Sequence, residues 1–411
     1  MSRRPRLPIP RRRIVLPGPS RLFLYAETAL LLILGISLLS SYLKQYPPSS
    51  QTGGSFYQIA DIPQGTNHGE TSHNQEEAGP PDSARQSESE SQPQESKKFI
   101  KWVDFTVTSE AMTKAFRLDV DTIQQEPHLN WIQLLAYLGA RYGGDFSRYK
   151  AADMDALVQK LKSGQTMEEL TEEMKYYNYY LEAYSAVLGG MVGTFEDEIP
   201  MDQVPDSVSC RPAEPAEGSS QPQTVWVTRY GLKAFSPIAK GFPYSEFDDF
   251  GTARSYGFKR QHLGHDMMGQ VGSPIIAVES GIVEALGWNQ YGGWRIGIRS
   301  FDKKRYYYYA HLRKNYPYQS NLTEGCTVQA GDVIGYMGRT GYSLTENTNN
   351  IDEPHLHFGL QLIFDESQKE GNNEIWISCY ELVKFLHQNQ SLTEKTPDTK
   401  EWHRVYRTKD F

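Results

Sequence analysis

Residues 354–363 read Pro-His-Leu-His-Phe-Gly-Leu-Gln-Leu-Ile. Up to Phe358 the segment alternates imidazole with apolar side chain, the period of two that a strand imposes, so His355 and His357 share one face while Leu356 and Phe358 supply core from the other. The same texture extends outward on both sides. Ile275–Val278, Ile282–Leu286, Trp294–Arg299, Arg305–Leu312 and Val333–Met337 are strand-like runs, punctuated by Gly292-Gly293, Ala330-Gly-Asp332 and Gly338-Arg-Thr-Gly341. Such punctuation predicts a C-terminal all-β domain of antiparallel sheets over residues 225–387.

Into this β-rich window the chain sets His262-Leu-Gly-His-Asp266, Tyr309-Ala-His311-Leu312 and His355-Leu-His357. A lone buried histidine is usually a satisfied core residue, but a His-x-His pair with a His-x-x-x-Asp group points to a metal. Imidazoles and a carboxylate in this number exceed what a zinc ion needs if it keeps a position open for water, and the surplus points to catalysis. His262 and Asp266 would lie roughly 13 Å apart on an extended strand, too far for ligands roughly 2 Å from one ion. The chain must therefore turn between them, and Gly264 permits the turn and leaves room. His265, next to Asp266, points away and takes a structural place. Alternation through residues 306–312 puts Tyr307, Tyr309 and His311 on one face, with His311 suited to donate a hydrogen bond to a developing oxyanion.

In this order the motifs resemble the LytM/lysostaphin-type zinc endopeptidases, the M23 peptidase family, over about residues 240–387. His262-x-Gly-x-Asp266 is similar to the first family motif, Gly272-Ser-Pro274 with Ala277-Val-Glu-Ser-Gly281 to the turn and strand after it, and Tyr309-Ala-His311-Leu312 to the middle motif. Ala330–Gly335 and Gly338–Gly341 are similar to the hairpin, and His355-x-His357 to the last motif. The resemblance implies that His262, Asp266 and His357 ligate Zn²⁺, that His355 is the general base, that His311 stabilises the tetrahedral intermediate, and that Tyr309 positions substrate. It further implies hydrolysis of peptide cross-links or stem peptides of bacterial peptidoglycan. One departure is the stretch 342–354, longer and more acidic than the family's short connection, which argues against glycyl-glycine specificity. The alternative from another class is an M23-like scaffold or regulator that binds envelope or sporulation partners without hydrolysis. A non-haem iron oxygenase would want a His-x-Asp/Glu pair, and a cupin a Glu soon after His-x-His; neither occurs within residues 225–387.

The rest of the chain reads as a multi-domain envelope protein. The net charge is −8, yet Arg3, Arg4, Arg6, Arg11, Arg12, Arg13 and Arg21 all precede the first acid, Glu27, so the remainder of the chain is more acidic still and offers no nucleic-acid surface. Residues 1–21 then form a basic cytoplasmic tail and 22–43 a transmembrane signal anchor, which places the catalytic domain outside the cell membrane. Residues 44–97, rich in Gln, Ser, Glu and Gly, form a disordered linker. Residues 98–195 are a small helical accessory domain, open to envelope protein partners, with apolar stripes at Trp131/Leu134/Leu135/Leu138, Met154/Leu157/Val158/Leu161 and Leu170/Met174/Tyr177/Leu181, the last continuing toward Val187. Tyr176, Tyr177, Tyr179 and Tyr180 read as a packing seam. Residues 196–224 form a Pro/acid-rich linker, and 388–411 a polar tail. Cys210, Cys326 and Cys379 lack disulfide or zinc-finger spacing and read as free thiols.

Overall fold

The structure, a computed structural model, describes residues 99–204, 210–213, 223–255, 259–369 and 373–410. The basic tail, the membrane anchor and the first linker expected over residues 1–97 lie outside them. Among the described residues no helix is long and apolar enough to cross a membrane.

The helices are α1 (Ser109–Thr122), α2 (Trp131–Tyr142), α3 (Ala151–Lys162), α4 (Met167–Thr171), α5 (Tyr177–Leu188) and, far downstream, α6 (Tyr380–Leu386). Asn130 starts α2 by accepting from the Ile132 and Gln133 N–H groups, and Gly143 ends it in the left-handed region at φ 66°. The third expected helix is two: the Thr166/Glu169 capping box starts α4, and the chain turns through Met174 before α5 begins at Tyr177. The sequence reading missed α1, whose buried face carries Asp119 and Thr122 beside Ala111, Met112 and Ala115 and so has no strong apolar stripe. Asp119, fully buried, accepts from the Trp131 N–H at 2.8 Å and the Tyr230 hydroxyl at 2.7 Å, tying α1 to α2 and to the strand that carries Tyr230. Of the expected tyrosine seam, Tyr177 is buried and Tyr180 packs half-buried against the core, whereas Tyr176 is exposed; the buried Tyr184 ring beside them meets Phe105 edge-on at 5.5 Å.

The strands run β1 (Val192–Pro200), β2 (Cys210–Pro212), β3 (Thr224–Leu232), β4 (Ser245–Glu246), β5 (Ala253–Ser255), β6 (Lys259–Gln261), β7 (His265–Met268), β8 (Pro274–Ile276) and β9 (Gly281–Asn289). They continue with β10 (Gly293–Ser300), β11 (Arg305–Ala310), β12 (Thr327–Val328), β13 (Val333–Tyr336), β14 (His355–Leu362), β15 (Ile375–Ile377), β16 (Thr393–Lys395), β17 (Trp402–Arg404) and β18 (Thr408–Asp410). The main sheet has the order β12-β9-β10-β11-β14-β7-β4, with β15 also paired to β14, and its pairs are antiparallel. Its inner face buries Ile296, Ile298, Tyr307, Tyr309, Leu356, Phe358 and Leu360.

Two expected boundaries are corrected. Residues 196–224 are not a plain linker, because β1 pairs with β3 from Val192↔Leu232 to Pro200↔Thr224, so the interval opens and closes inside a sheet of order β18-β1-β3-β2. Residues 388–411 are not merely a polar tail: β18 pairs with β1, and Arg407 grips the buried Glu198 carboxylate at 2.7 and 3.1 Å. The helical and β parts share one hydrophobic core, in which Trp131 of α2 stacks on Phe385 of α6 at 5.8 Å. The apolar faces of α1, α2 and α5 are thus spent internally. Cys210, Cys326 and Cys379 are free thiols.

Candidate metal centre

Strands β7 and β14 build the floor of the site. Their register opposes Asp266 to His357 and His265 to Phe358. Directly opposed residues project to the same side of a sheet, so Asp266 and His357 stand on the outer face, with His355 two residues away. His265 faces the core beside Phe358 and bonds Glu246 Oε2 at 2.7 Å, the structural place expected of it. The β5/β6 hairpin brings in His262, whose N–H donates to the Thr252 carbonyl at 3.0 Å. Gly264 then makes the approach possible: a Cβ there would lie 2.4 Å from His357 Cε1, so its missing side chain makes room for the ligand ring.

Three donor atoms converge. His262 Nε2 lies 3.1 Å from Asp266 Oδ1 and 2.9 Å from His357 Nδ1, which is itself 2.9 Å from Asp266 Oδ1. Ligands about 2.0–2.1 Å from a tetrahedral zinc ion are separated by about 3.3 Å, so the spacing fits within a few tenths of an ångström. The donor set fits as well. His262 Nδ1 faces both the Asp249 carbonyl and Asp249 Oδ2 at 3.2 Å, which fixes its proton there and leaves Nε2 as a lone pair. Asp266 Oδ2 is occupied by Arg254 Nη2 at 3.1 Å, leaving Oδ1 free to ligate. Among the described residues, this trio is the group that could hold a metal ion.

The electrostatics agree with that use. Burial by itself would push the Asp266 carboxyl up, but the hydrogen bonds with His262 and His357, with the electrostatic pull of His357 and His355, hold its pKa well below the usual carboxylate range. Burial lowers His357, outweighing the attraction of Asp266, and so favours the neutral imidazole a metal requires. Burial, reinforced by His355 and His357, puts His311 well below the ordinary histidine value.

Two further imidazoles flank the trio. His355 donates from Nδ1 to the Glu353 carbonyl at 2.8 Å and turns Nε2 toward the centre, 3.8 Å from Asp266 Oδ1. His311 follows the last residue of β11, where alternation would send it into the core with Tyr309. Instead it adopts φ 63°, and its ring comes round to lie 4.8 Å from that of His355 and 5.8 Å from that of His357. Its Nδ1 donates to the Thr340 carbonyl at 2.9 Å, so a neutral His311 offers a lone pair at Nε2.

Tyr309 is not at the substrate face. It opposes Phe358 in the register, is fully buried, and takes the Val278 N–H on its hydroxyl at 3.0 Å. The residue on the site face is Tyr308, whose ring meets His357 edge-on at 6.0 Å. Asp249 and Arg254, which orient His262 and Asp266, were missed as well. The weak signal for them was that a ligating histidine needs an acceptor for its other nitrogen, and sequence spacing does not say which acid supplies it.

Residues 260–370, which contain the trio with His311 and His355, match the profile of Peptidase family M23. An L-Ala--D-Glu endopeptidase of Bacillus subtilis (strain 168) is 39% identical over 130 residues, covering 32% of this chain and 38% of that protein. The glycyl-glycine endopeptidase ALE-1 of Staphylococcus capitis is 38% identical over 98 residues, covering 24% of each. The solved catalytic domain of lysostaphin from Staphylococcus simulans is 30% identical and aligns over 34% of this chain and 92% of its own, with a TM-score of 0.27. The chain thus spans less than half the length of these curated relatives. The match to the M23 profile lies within the C-terminal β domain, and the relatives similar to it are named as endopeptidases.

Proposed function

We propose that this chain is a zinc-dependent endopeptidase that hydrolyses stem or cross-link peptides of bacterial peptidoglycan. The observation that carries the reading is the convergence of His262, Asp266 and His357 beside two further imidazoles, His311 and His355, that are not needed as ligands. Zinc held by the trio would supply a Lewis acid that polarises the scissile carbonyl and acidifies water. His355, anchored at Nδ1, offers Nε2 as the general base. His311 accepts at Nε2 while neutral and donates there only after taking up a proton, so the expected hydrogen bond to the oxyanion comes after proton uptake. The identity to the Bacillus subtilis endopeptidase makes an alanyl–glutamyl bond the first to test, and the long 342–354 loop argues against glycyl-glycine. Residues 22–43 serve as the membrane anchor in this reading, supported by their apolar run behind seven arginines.

The test is metal analysis of the purified full chain, followed by digestion of purified sacculi and mass spectrometry of the fragments, with His355→Ala as control. Stoichiometric zinc and new amino termini from the wild type alone support the proposal. Identical fragment patterns from the two proteins, or stoichiometric iron in place of zinc, overturn it.

A further inference from the structure

The β5/β6 hairpin places two arginines directly opposite each other, Arg254↔Arg260. Like charges at opposed positions destabilise a strand pair unless something neutralises them. Arg254 has its anions, with Asp249 Oδ2 at 2.6 Å and Asp266 Oδ2 at 3.1 Å. Arg260 has none: among the described residues it makes no ion pair. Its Nη2 donates to the Tyr342 hydroxyl and its guanidinium lies 5.0 Å over the Tyr342 ring, while its Nε is buried without a hydrogen-bond partner. An arginine carries five N–H donors, and among the described residues the hydroxyl of Tyr342 is the one hydrogen-bond acceptor recorded for them.

Its position gives that capacity a use. The ring of Tyr342 lies 5.7 Å from that of His311, inclined by 31°, so the phenol stands between the guanidinium and the His311 imidazole beside the candidate metal centre. Tyr342 is held there at φ 46°, a left-handed conformation that a bulky residue adopts at a cost and that tends to occur at ligand-binding positions. Asp266, Tyr291 and Tyr308 are close enough to act on the charge of Arg260. Among the described residues the acids of the 342–354 loop, Glu346, Asp352 and Glu353, are exposed and form no ion pair with it.

We infer that Arg260 is a specificity-determining residue that binds a free carboxylate on the substrate residue next to the cleaved bond. The inference rests on the peptidase reading above and refines it. A glutamyl residue has two carboxyl groups; whichever one continues the peptide, the other remains free within a few bonds of the scissile nitrogen. A glycyl-glycine bond presents no such group. An arginine fork matches a carboxylate through two parallel N–H···O bonds, a geometry that lysine lacks.

The experiment compares two synthetic stem peptides that share an alanyl–glutamyl bond, one with the glutamyl carboxylate free and one with it amidated. The zinc-loaded full chain is expected to prefer the free acid by roughly tenfold to hundredfold in kcat/KM, the range of one charge-assisted hydrogen bond. In Arg260→Gln the ratio should fall to near one, and Arg260→Lys should lie between, with zinc content reporting that the site is intact. A wild-type ratio near one overturns the inference whether or not the variants fold, as does a wild-type ratio retained in Arg260→Gln. Cleavage of sacculi at another bond with neither peptide cut overturns the inference but leaves the peptidase; no hydrolysis of any substrate overturns both.

Discussion

Replacing Arg305 with Met tests how the helical layer is fastened to the catalytic sheet. Arg305 is 1% exposed and sends Nε and Nη2 to the two oxygens of the buried Glu279 at 2.7 and 3.0 Å, while Nη1 reaches the Ala186 carbonyl in α5 at 2.8 Å. Tyr307 also donates to Glu279 Oε2 at 2.7 Å. The substitution leaves Glu279 buried with that hydroxyl for support and leaves the Ala186 carbonyl without its partner. Removing one member of a buried ion pair costs about 3–5 kcal/mol, because the remaining charge stays desolvated. In a unit of this size that corresponds to a fall in Tm on the order of 10 °C. Urea titration should show a lower midpoint at unchanged slope. Adding Glu279→Gln to Arg305→Met removes the stranded charge and should recover part of the loss. Zinc content of the folded variant should stay stoichiometric, since Arg305 pairs with Leu362, which lies along β14 from the ligand His357 by roughly 17 Å at strand rise. A loss under about 1 kcal/mol, or a double variant as unstable as the sum of the two single ones, would refute this account.

Asp249→Ala should weaken zinc binding by roughly 10–100-fold in chelator competition, because His262 loses the acceptor that orients it; unchanged affinity would remove Asp249 from the site. Gly264→Ala should abolish stoichiometric zinc while circular dichroism stays native, since the added Cβ meets the His357 ring; a variant that retains zinc would sink the idea of a required close approach. The fragment 225–411 lacks β1 and leaves β3 without its long partner, so it should aggregate or unfold non-cooperatively, and a monomeric, cooperatively melting fragment would count against the shared core. The pH dependence of stability should report on Glu198: burial would raise its pKa, but the Arg407 fork and the Thr224 hydroxyl outweigh this and lower it. A depressed carboxyl pKa contributes stability above its unfolded value and loses it as pH falls through the folded one. The stability gap between wild type and Arg407→Gln should therefore narrow as the pH drops below the ordinary glutamate range, and a gap that is flat or widening toward acid would reject the linkage.

What was legible in the sequence is whatever a period of two or a turn residue encodes. The alternation at 355–358 placed both histidines on one face of β14, and the register with β7 then brought His357 to Asp266. The same rule failed at Tyr309 and His311 for a definable reason. Alternation put them on one face, but His311 leaves the strand at positive φ and its side chain swings to the opposite side from Tyr309. Non-glycine residues adopt that conformation only where contacts enforce it, here the His311 N–H to the Gly292 carbonyl at 2.7 Å and Nδ1 to the Thr340 carbonyl. Such contacts come from loops distant in sequence and leave no mark on the local pattern. Helix α1 escaped notice because its buried face is held partly by Asp119, and a polar hub has no hydropathy signature.

The motif residues supply the atoms of the centre, but their orientation comes from outside the motifs. Asp249, ahead of β5, fixes which nitrogen of His262 is available, and Arg254 occupies one oxygen of Asp266 so that the other faces the two imidazoles. Both depend on the β5/β6 hairpin, whose opposed Arg254 and Arg260 give one arginine to the ligand carboxylate and the other to the cleft. On the proposed reading the hairpin would couple metal geometry to substrate choice. If Arg254 were lost, Asp249 and Asp266 would face each other with less positive charge between them, and Arg260 would become the nearer counter-charge. Variation at Arg254 should then alter zinc affinity and carboxylate preference together, whereas variation at Arg260 should alter preference alone.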